Sequence, residues 1–147
     1  KDKCLRVESI NSQQCIYLIK SYCPDVIIVN GTRIISKKVL NSSDAIIINT
    51  HIGVTPKYRG VHGGYWALTN DDIMNFGVTV HLIDAGIDTG DIVYQDEVGF
   101  TNNDNFVTYP YLQLAKGIQL MKKTLLDISN NELKIVPLSL QLLLKMQ

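Results

Sequence analysis

The sequence predicts an α/β fold, a mostly parallel open sheet with flanking helices and an antiparallel hairpin, and three observations lead to it. Two short runs, Asp25-Val26-Ile27-Ile28-Val29-Asn30 and the stretch from Ala45 to Ile48, are apolar without alternation. That is the pattern of strands covered by helices on both faces. A turn at Gly31-Thr32-Arg33 and a brief helical segment from Ser36 to Leu40 separate them, so they should run parallel through a right-handed crossover and open their carboxyl ends on the same side. Finally, GVTVHLID from Gly77 to Asp84 alternates, and after a tight Gly/Asp segment a second strand runs from Asp91 to about Val98. This reads as a long antiparallel hairpin.

The other elements follow in order. The chain has 147 residues, 46% of them hydrophobic, enough for one domain over 1–147 with a real core. Asn11 is a plausible helix cap with Gln14 three positions on, and Cys15, Ile16, Leu18, Ile19 and Tyr22 repeat at helical spacing before Pro24 stops the helix. Val61 to Leu68 can start a helix, although Gly63 and Gly64 weaken it by about 1 kcal/mol each. From Val107 to Ile128, Pro110 suits the first turn, and Val107, Tyr111, Leu114, Ala115, Ile118, Met121, Leu125 and Ile128 mark the expected apolar face. The final PLSLQLLLKMQ is too apolar for a solvated tail and predicts a partner surface, hence a homodimer.

Composition excludes several classes. Lys+Arg and Asp+Glu number 14 each and are scattered, so no basic stripe points to nucleic acid or an anionic membrane. No run approaches the ~20 apolar residues of a membrane span. Cys4, Cys15 and Cys23 are odd in number and lack CxxC spacing, and two of them fall on the apolar side of the first helix. Buried free thiols in a reducing, cytoplasmic compartment are expected. The chain begins at Lys1 and enters the fold abruptly, which predicts a truncated or processed polypeptide.

The chemistry gathers at NTHIGVTPKYRG, Asn49 to Gly60, directly after the second apolar run. Side chains alternate along a strand, so Asn49 and His51 leave it on the same side and can act on one ligand atom. Asp88 sits in the hairpin tip. An amide N–H and a protonated imidazole suit an oxyanion forming at a carbonyl, while a carboxylate holds the imidazole charged and relays a proton through water. No Ser or Cys is placed as an obvious nucleophile, so an amine substrate would bring its own. Taken singly, each residue has a plainer reading: Asn49 as a strand-end cap, His51 as a hydrogen-bonded loop histidine, Asp88 as a turn residue.

NTHIGVTPKYRG resembles the pattern Asn-X-His-X-Ser-Leu-Leu-Pro-X-Tyr-Arg-Gly of the folate-dependent formyltransferases, GVTVHLIDAGIDTGDIVYQ resembles their hairpin, and PDVIIVNGTRIIS looks like the strand and loop before their pterin pocket. The resemblance implies transfer of a formyl group from 10-formyltetrahydrofolate, the co-substrate, to a primary amine through a tetrahedral intermediate. It places Asn49 and His51 as the catalytic pair and Asp88 as the catalytic aspartate, raising the His51 pKa and assisting proton transfer. Residues Asn30, Gly31, Thr32, Arg33 and Ile34, and the loop from Asp84, Ala85 and Gly86 to Asp88, would hold the pterin largely through backbone groups. His81 falls where the family often has a histidine, as a strand residue near the site.

Two departures bear on the acceptor and on completeness. Gly53-Val54-Thr55 stands where the family often has Ser-Leu-Leu, and Val61-His62-Gly63-Gly64-Tyr65-Trp66 follows Arg59-Gly60, where acceptor selection is expected. The expected acceptor is a small-molecule amine, foremost a nucleotide-linked amino sugar and after it the purine precursor or an aminoacyl-tRNA; His62 and Trp66 are lining candidates, with core packing the plainer role for Trp66. Nothing before Asn11 resembles the first α/β unit of the family, so the chain reads as the C-terminal portion of a formyltransferase catalytic domain. Three other readings stand beside this: a formyltetrahydrofolate deformylase delivering water, a non-catalytic folate-binding module, and a metal site from His51, His62, His81, Asp84 and Asp88. The histidine spacings match no compact ligand motif, so no metal is expected.

Overall fold

Ser12 opens the first helix, α1 (Gln13–Tyr22), its side chain accepting the Cys15 N–H at 3.2 Å. Cys23 closes it in the left-handed region at φ 44°, its N–H bonded to the Ile19 carbonyl. The expected cap, Asn11, stands one residue further out. Its amide donates to the Ile34 carbonyl and its oxygen accepts the Ser36 N–H, so it braces a distant loop instead. The computed structural model describes residues 4–144, with the side chains of residues 142–144 outside that description.

Strand β1 (Val26–Val29), the short helix α2 (Lys37–Leu40) and strand β2 (Ile46–His51) form a parallel unit, in register from Val26 opposite Ile46 to Val29 opposite Asn49. Helix α3 (Gly63–Thr69) and a 3₁₀ turn at Ile73–Asn75 lead to strands β3 (Gly77–Leu82) and β4 (Ile92–Glu97), and then to helices α4 (Tyr109–Ser129) and α5 (Leu138–Leu144). The sheet order is β1-β2-β3-β4. Its first pairing is parallel and the other two are antiparallel, so the open α/β sheet and its hairpin are as expected but the parallel share is smaller. After β2 the chain re-enters the sheet beside the end of that strand, so β3, with Thr79 opposite His51, runs the other way.

Alternation then assigns the two faces. Ile48 and Val80 pack with Val93 and Met121 under α4, with Ile46, Leu82, Leu120 and Leu125 around them. Tyr58, Ala67, Phe76, Val78 and Val98 continue this core. On the opposite face Ile16, Ile35 and Val39 pack with Val29 and Ile83. That second face also receives Asn49, His51, Thr79 and His81, because they are the other members of each alternating pair.

Helix α4 buries a different face from the apolar stripe. Gln113, Gly117, Met121 and Thr124 are buried, whereas Tyr111, Leu114 and Ile118 are 68%, 44% and 48% exposed. Close approach decides the orientation. A Cβ at Gly117 would stand 2.6 Å from Thr50 Cγ2, so only glycine lets α4 come down onto β2 there. Gln113 Nε2 donates to the Gly77 carbonyl at 2.7 Å and the Thr124 hydroxyl to the Leu120 carbonyl, so each side chain has a partner for a donor, while Gln113 Oε1 is buried without one among the described residues.

Two further expectations change. Of the cysteines, only Cys15 is buried, and burial raises its thiol pKa; Cys4 and Cys23 are exposed, Cys23 because it lies past the helix end. The start of the apolar tail packs on this chain itself: Val136 bridges Ile92, the Leu138 N–H donates to Asp91, and Gln141 bonds Gln95. Leu140 is exposed, and the side chains of residues 142–147 lie outside the described residues.

Candidate functional site

The register of β2 against β3 sets four polar side chains together, Asn49 opposite His81 and His51 opposite Thr79. Thr79 is fully buried and anchors the loop that leaves β2. Its hydroxyl donates to the Gly53 carbonyl at 2.8 Å and accepts the Thr55 N–H at 3.2 Å, while Gln95 Nε2 donates to the Thr55 carbonyl and to the Thr79 hydroxyl. So held, the loop returns over the sheet and brings the Tyr58 carbonyl to 2.6 Å from His51 Nε2. The Tyr58 phenol donates to Asp72, which also pairs with Lys57. Thr79→Val keeps the shape and removes all three hydroxyl contacts. It should lower stability by about 1–3 kcal/mol, read from denaturant midpoints, and an unchanged midpoint would show that Thr79 is not the anchor.

Asp88 arrives from the hairpin. After Ile83, whose N–H bonds the Ile47 carbonyl, the chain turns back through Asp84, which accepts the Gly86 N–H at 2.9 Å and the Thr89 hydroxyl at 2.7 Å. Asp88 itself is held in the left-handed region at φ 48°, a conformation that costs an L-residue roughly 1–2 kcal/mol and that Asp tolerates better than most. Three contacts hold it there. Its carboxylate accepts the Gly60 N–H at 2.9 Å, faces His51 Nδ1 at 3.4 Å and faces His81 Nε2 at 3.3 Å. Asn49 Nδ2 lies 3.3 Å from the same His81 Nε2, and His81 Nδ1 lies 2.7 Å from the Leu82 carbonyl.

These contacts dictate proton positions. A carbonyl can only accept, so His51 carries its proton on Nε2, bonded to Tyr58, and in the neutral ring Nδ1 presents a lone pair toward Asp88. Burial pushes the His51 imidazole below its ordinary value; the Tyr58 carbonyl and Asp88 pull upward, and His81 adds to the lowering. The upward pull of Asp88 implied by the resemblance is thus present and outweighed by burial. For Asp88, burial raises the carboxyl, but the His81 contact, the His51 charge and the Gly60 N–H bring it below the usual range.

Both shifts have the same consequence for stability. The unfolded chain takes up the His51 proton first as pH falls through 6.5, and the Asp88 proton first as pH falls through 3.8. Stability therefore declines on acidification, beginning below about pH 6.5 and continuing below about pH 4. Asp72, held at about 2 chiefly by Lys57, adds to the lower window. Denaturant midpoints measured across pH 3–8 should fall toward acid, with the upper window absent in His51→Gln; a midpoint that rises between pH 7 and 5 would contradict the burial of a neutral His51.

Asn49, His51 and Asp88, separated in sequence, thus stand together. The proposed pterin stretches are placed differently. Residues 30–34 are exposed, and Gly31 at φ 57° has open space around it; Asp84, Ala85 and Gly86 are also exposed. The two stretches lead into one apolar cluster through Ile35 and Ile83. A cavity of about 520 Å³ is lined by Asp84 and Ala85 with Leu40, Ile47 and Ile135, and residues 30–34 do not line it. Among the described residues no group of three or more His, Cys, Asp or Glu is arranged to hold a metal ion, and no helix is long and apolar enough to cross a membrane.

Two residues of the site were not read as such in the sequence, Thr79 and the contact role of His81. Their alternation with Val78, Val80 and Leu82 does place them on the polar face, but the partner of that face depends on sheet register.

Comparison with known proteins agrees with the geometry. The Formyl transferase family matches residues 1–124. Methionyl-tRNA formyltransferase of Clostridium beijerinckii is 34% identical over 128 residues, 86% of this chain and 41% of the relative. The formyltransferase PseJ from Anoxybacillus kamchatkensis, solved in complex with UDP-4,6-dideoxy-4-formamido-L-AltNAc and tetrahydrofolate, superposes with a TM-score of 0.68 at 31% identity, covering 77% of this chain and 59% of that one. A 4-N formyltransferase from Francisella tularensis gives 0.70 at 29% identity, covering 85% and 50%. The chain spans about 40% of the length of the curated relatives it matches. On the match across residues 1–124, the chain belongs to the formyl transferase family.

Proposed function

We propose that this chain transfers the formyl group of 10-formyltetrahydrofolate to the primary amine of a small acceptor, foremost a nucleotide-linked amino sugar. The observation that carries the reading is the reach of Asp88 across the sheet, which sets a carboxylate against His51 and His81 beside the Asn49 amide. Exposed Ile34 and Ile87, on the loops expected to receive the pterin, offer apolar contact to a flat ring, and the loop backbones offer polar groups. The free cysteines suit a cytoplasmic setting.

The chemistry assigned to each residue follows from its contacts. The Asn49 amide donates to the formyl oxygen as negative charge develops. The His51 Nε2–H is given to the Tyr58 carbonyl in the resting site; an oxyanion is the stronger acceptor and takes that proton contact over. The Nδ1 lone pair accepts the proton of the attacking amine, directly or through water, and Asp88 stabilises the imidazolium so formed. The bond formed joins the amine nitrogen to the formyl carbon, the bond broken joins that carbon to the donor nitrogen, and the proton passes to the donor nitrogen through the same pair.

Two observations favour an amino sugar. PseJ, 31% identical, was solved with a UDP-linked formamido sugar. Formal charge over these 147 residues is zero and their basic residues are scattered along the sequence, whereas binding of phosphate-rich tRNA normally draws on clustered positive charge. His62 and the half-exposed Trp66 follow directly on the catalytic loop, where an acceptor would rest. The test presents a UDP-linked 4-amino sugar and Met-tRNA separately with the formyl donor. The sugar should be formylated faster; formylation of the tRNA alone would overturn the acceptor assignment, and formylation of neither would overturn the transfer itself.

A further inference from the structure

We propose that His81 is a positioning residue that aims the Asn49 amide. The inference rests on the transfer reading above for its consequence, but its geometry is independent of it. His81 is 3% exposed and cannot reorient toward solvent. Its Nδ1 lies 2.7 Å from the Leu82 carbonyl, which can only accept, so Nδ1 carries a proton. In the neutral ring Nε2 is therefore an acceptor. Two side chains reach it: the Asp88 carboxylate at 3.3 Å, which cannot donate, and Asn49 at 3.3 Å, which can.

The amide orientation follows by elimination. Turned the other way, Asn49 would place its carbonyl oxygen against the Nε2 lone pair, two acceptors with no proton between them. With Nδ2 toward His81, one amide hydrogen is bonded there. The second hydrogen and the oxygen are fixed by the same plane, so the donor available to the formyl oxygen has one direction. His81 thus contributes without touching substrate. A proton on Nε2 would reverse the arrangement, bonding Asp88 and releasing the Asn49 donor.

The role predicts a pattern that a merely structural histidine would not produce. In His81→Phe, turnover should fall by about 10–100-fold, the scale of a misaligned group, while KM for the formyl donor stays within about twofold. His81→Gln, which can offer a side-chain carbonyl to Asn49, should recover most of that loss. A raised KM with unchanged turnover, or equal loss in both variants, would overturn the role.

A measurement on the wild-type chain covers the case in which the variants do not fold and separates this inference from the transfer reading. Long-range ¹H–¹⁵N NMR of the histidine rings should show the Nδ1–H tautomer for His81 near neutral pH. Its Nε2 signal should move on Asn49→Ala. A proton found on Nε2, or a signal indifferent to Asn49, overturns the positioning role whether or not any acceptor is formylated.

Discussion

Asn49→Ala should lower turnover by about 10²–10³-fold, the 2.7–4 kcal/mol that one preorganised oxyanion donor supplies. The loss should fall on turnover and leave KM for either substrate nearly unchanged, because the contact strengthens only as charge develops on the formyl oxygen. The fold should lose little, since the Asn49 side chain is half-buried and its hydrogen bond is to His81. Asn49→Asp sharpens the test. It preserves the shape, removes both amide hydrogens and sets a second carboxylate near Asp88, so it should be at least as inactive as alanine. Steady-state rates with saturating donor read both variants; turnover within about twofold of wild type would remove Asn49 from the oxyanion site.

Gly90→Ala should be the most damaging single change to the fold of the site. A Cβ at position 90 would stand 1.7 Å from the Leu82 carbonyl oxygen, a backbone atom that no rotamer change can move aside. That carbonyl is also the acceptor for His81 Nδ1, and the Leu82 N–H pairs with the Asp91 carbonyl beside it. Relief requires the hairpin to open, which shifts Asp88 away from both histidines. A loss of about 3 kcal/mol or more is expected, with transfer activity lost in parallel. A denaturant midpoint close to wild type would show that the hairpin adapts and that the close approach is not required.

The residues of the candidate site were legible in the sequence for a local reason. Asn49 and His51 are two apart on one strand, so alternation alone puts them on one side, and Asp88 occupies a Gly-rich turn whose chemistry is visible in DAGIDTG. The strands themselves were legible from their apolar runs. The facing of α4 was not, because its contact with the sheet is set by a missing side chain: Gly117 permits close approach to Thr50, and the larger Tyr111, Leu114 and Ile118 remain outside. The direction of β3 was equally hidden, since it depends on where the chain re-enters the sheet, beside the end of β2, rather than on the composition of either strand. The same register explains why Thr79 and His81 were seen as strand residues and not as anchors of the site.

The electrostatic balance at His51 also required the packed site. Asp88 alone would favour the charged imidazole, and the sequence shows only that a carboxylate is available. Burial under the loop from Gly53 to Gly60 reverses the net direction, which leaves a neutral ring with a lone pair toward Asp88 and makes His51 a proton acceptor in the resting site.

The central claim is that this site delivers the formyl group to an amine and not to water. Consumption of 10-formyltetrahydrofolate, followed with and without the UDP-linked 4-amino sugar, tests it most directly. The account predicts negligible consumption without the amine and one formamide formed per donor consumed with it. Equal consumption in both, with formate as the product, would contradict it.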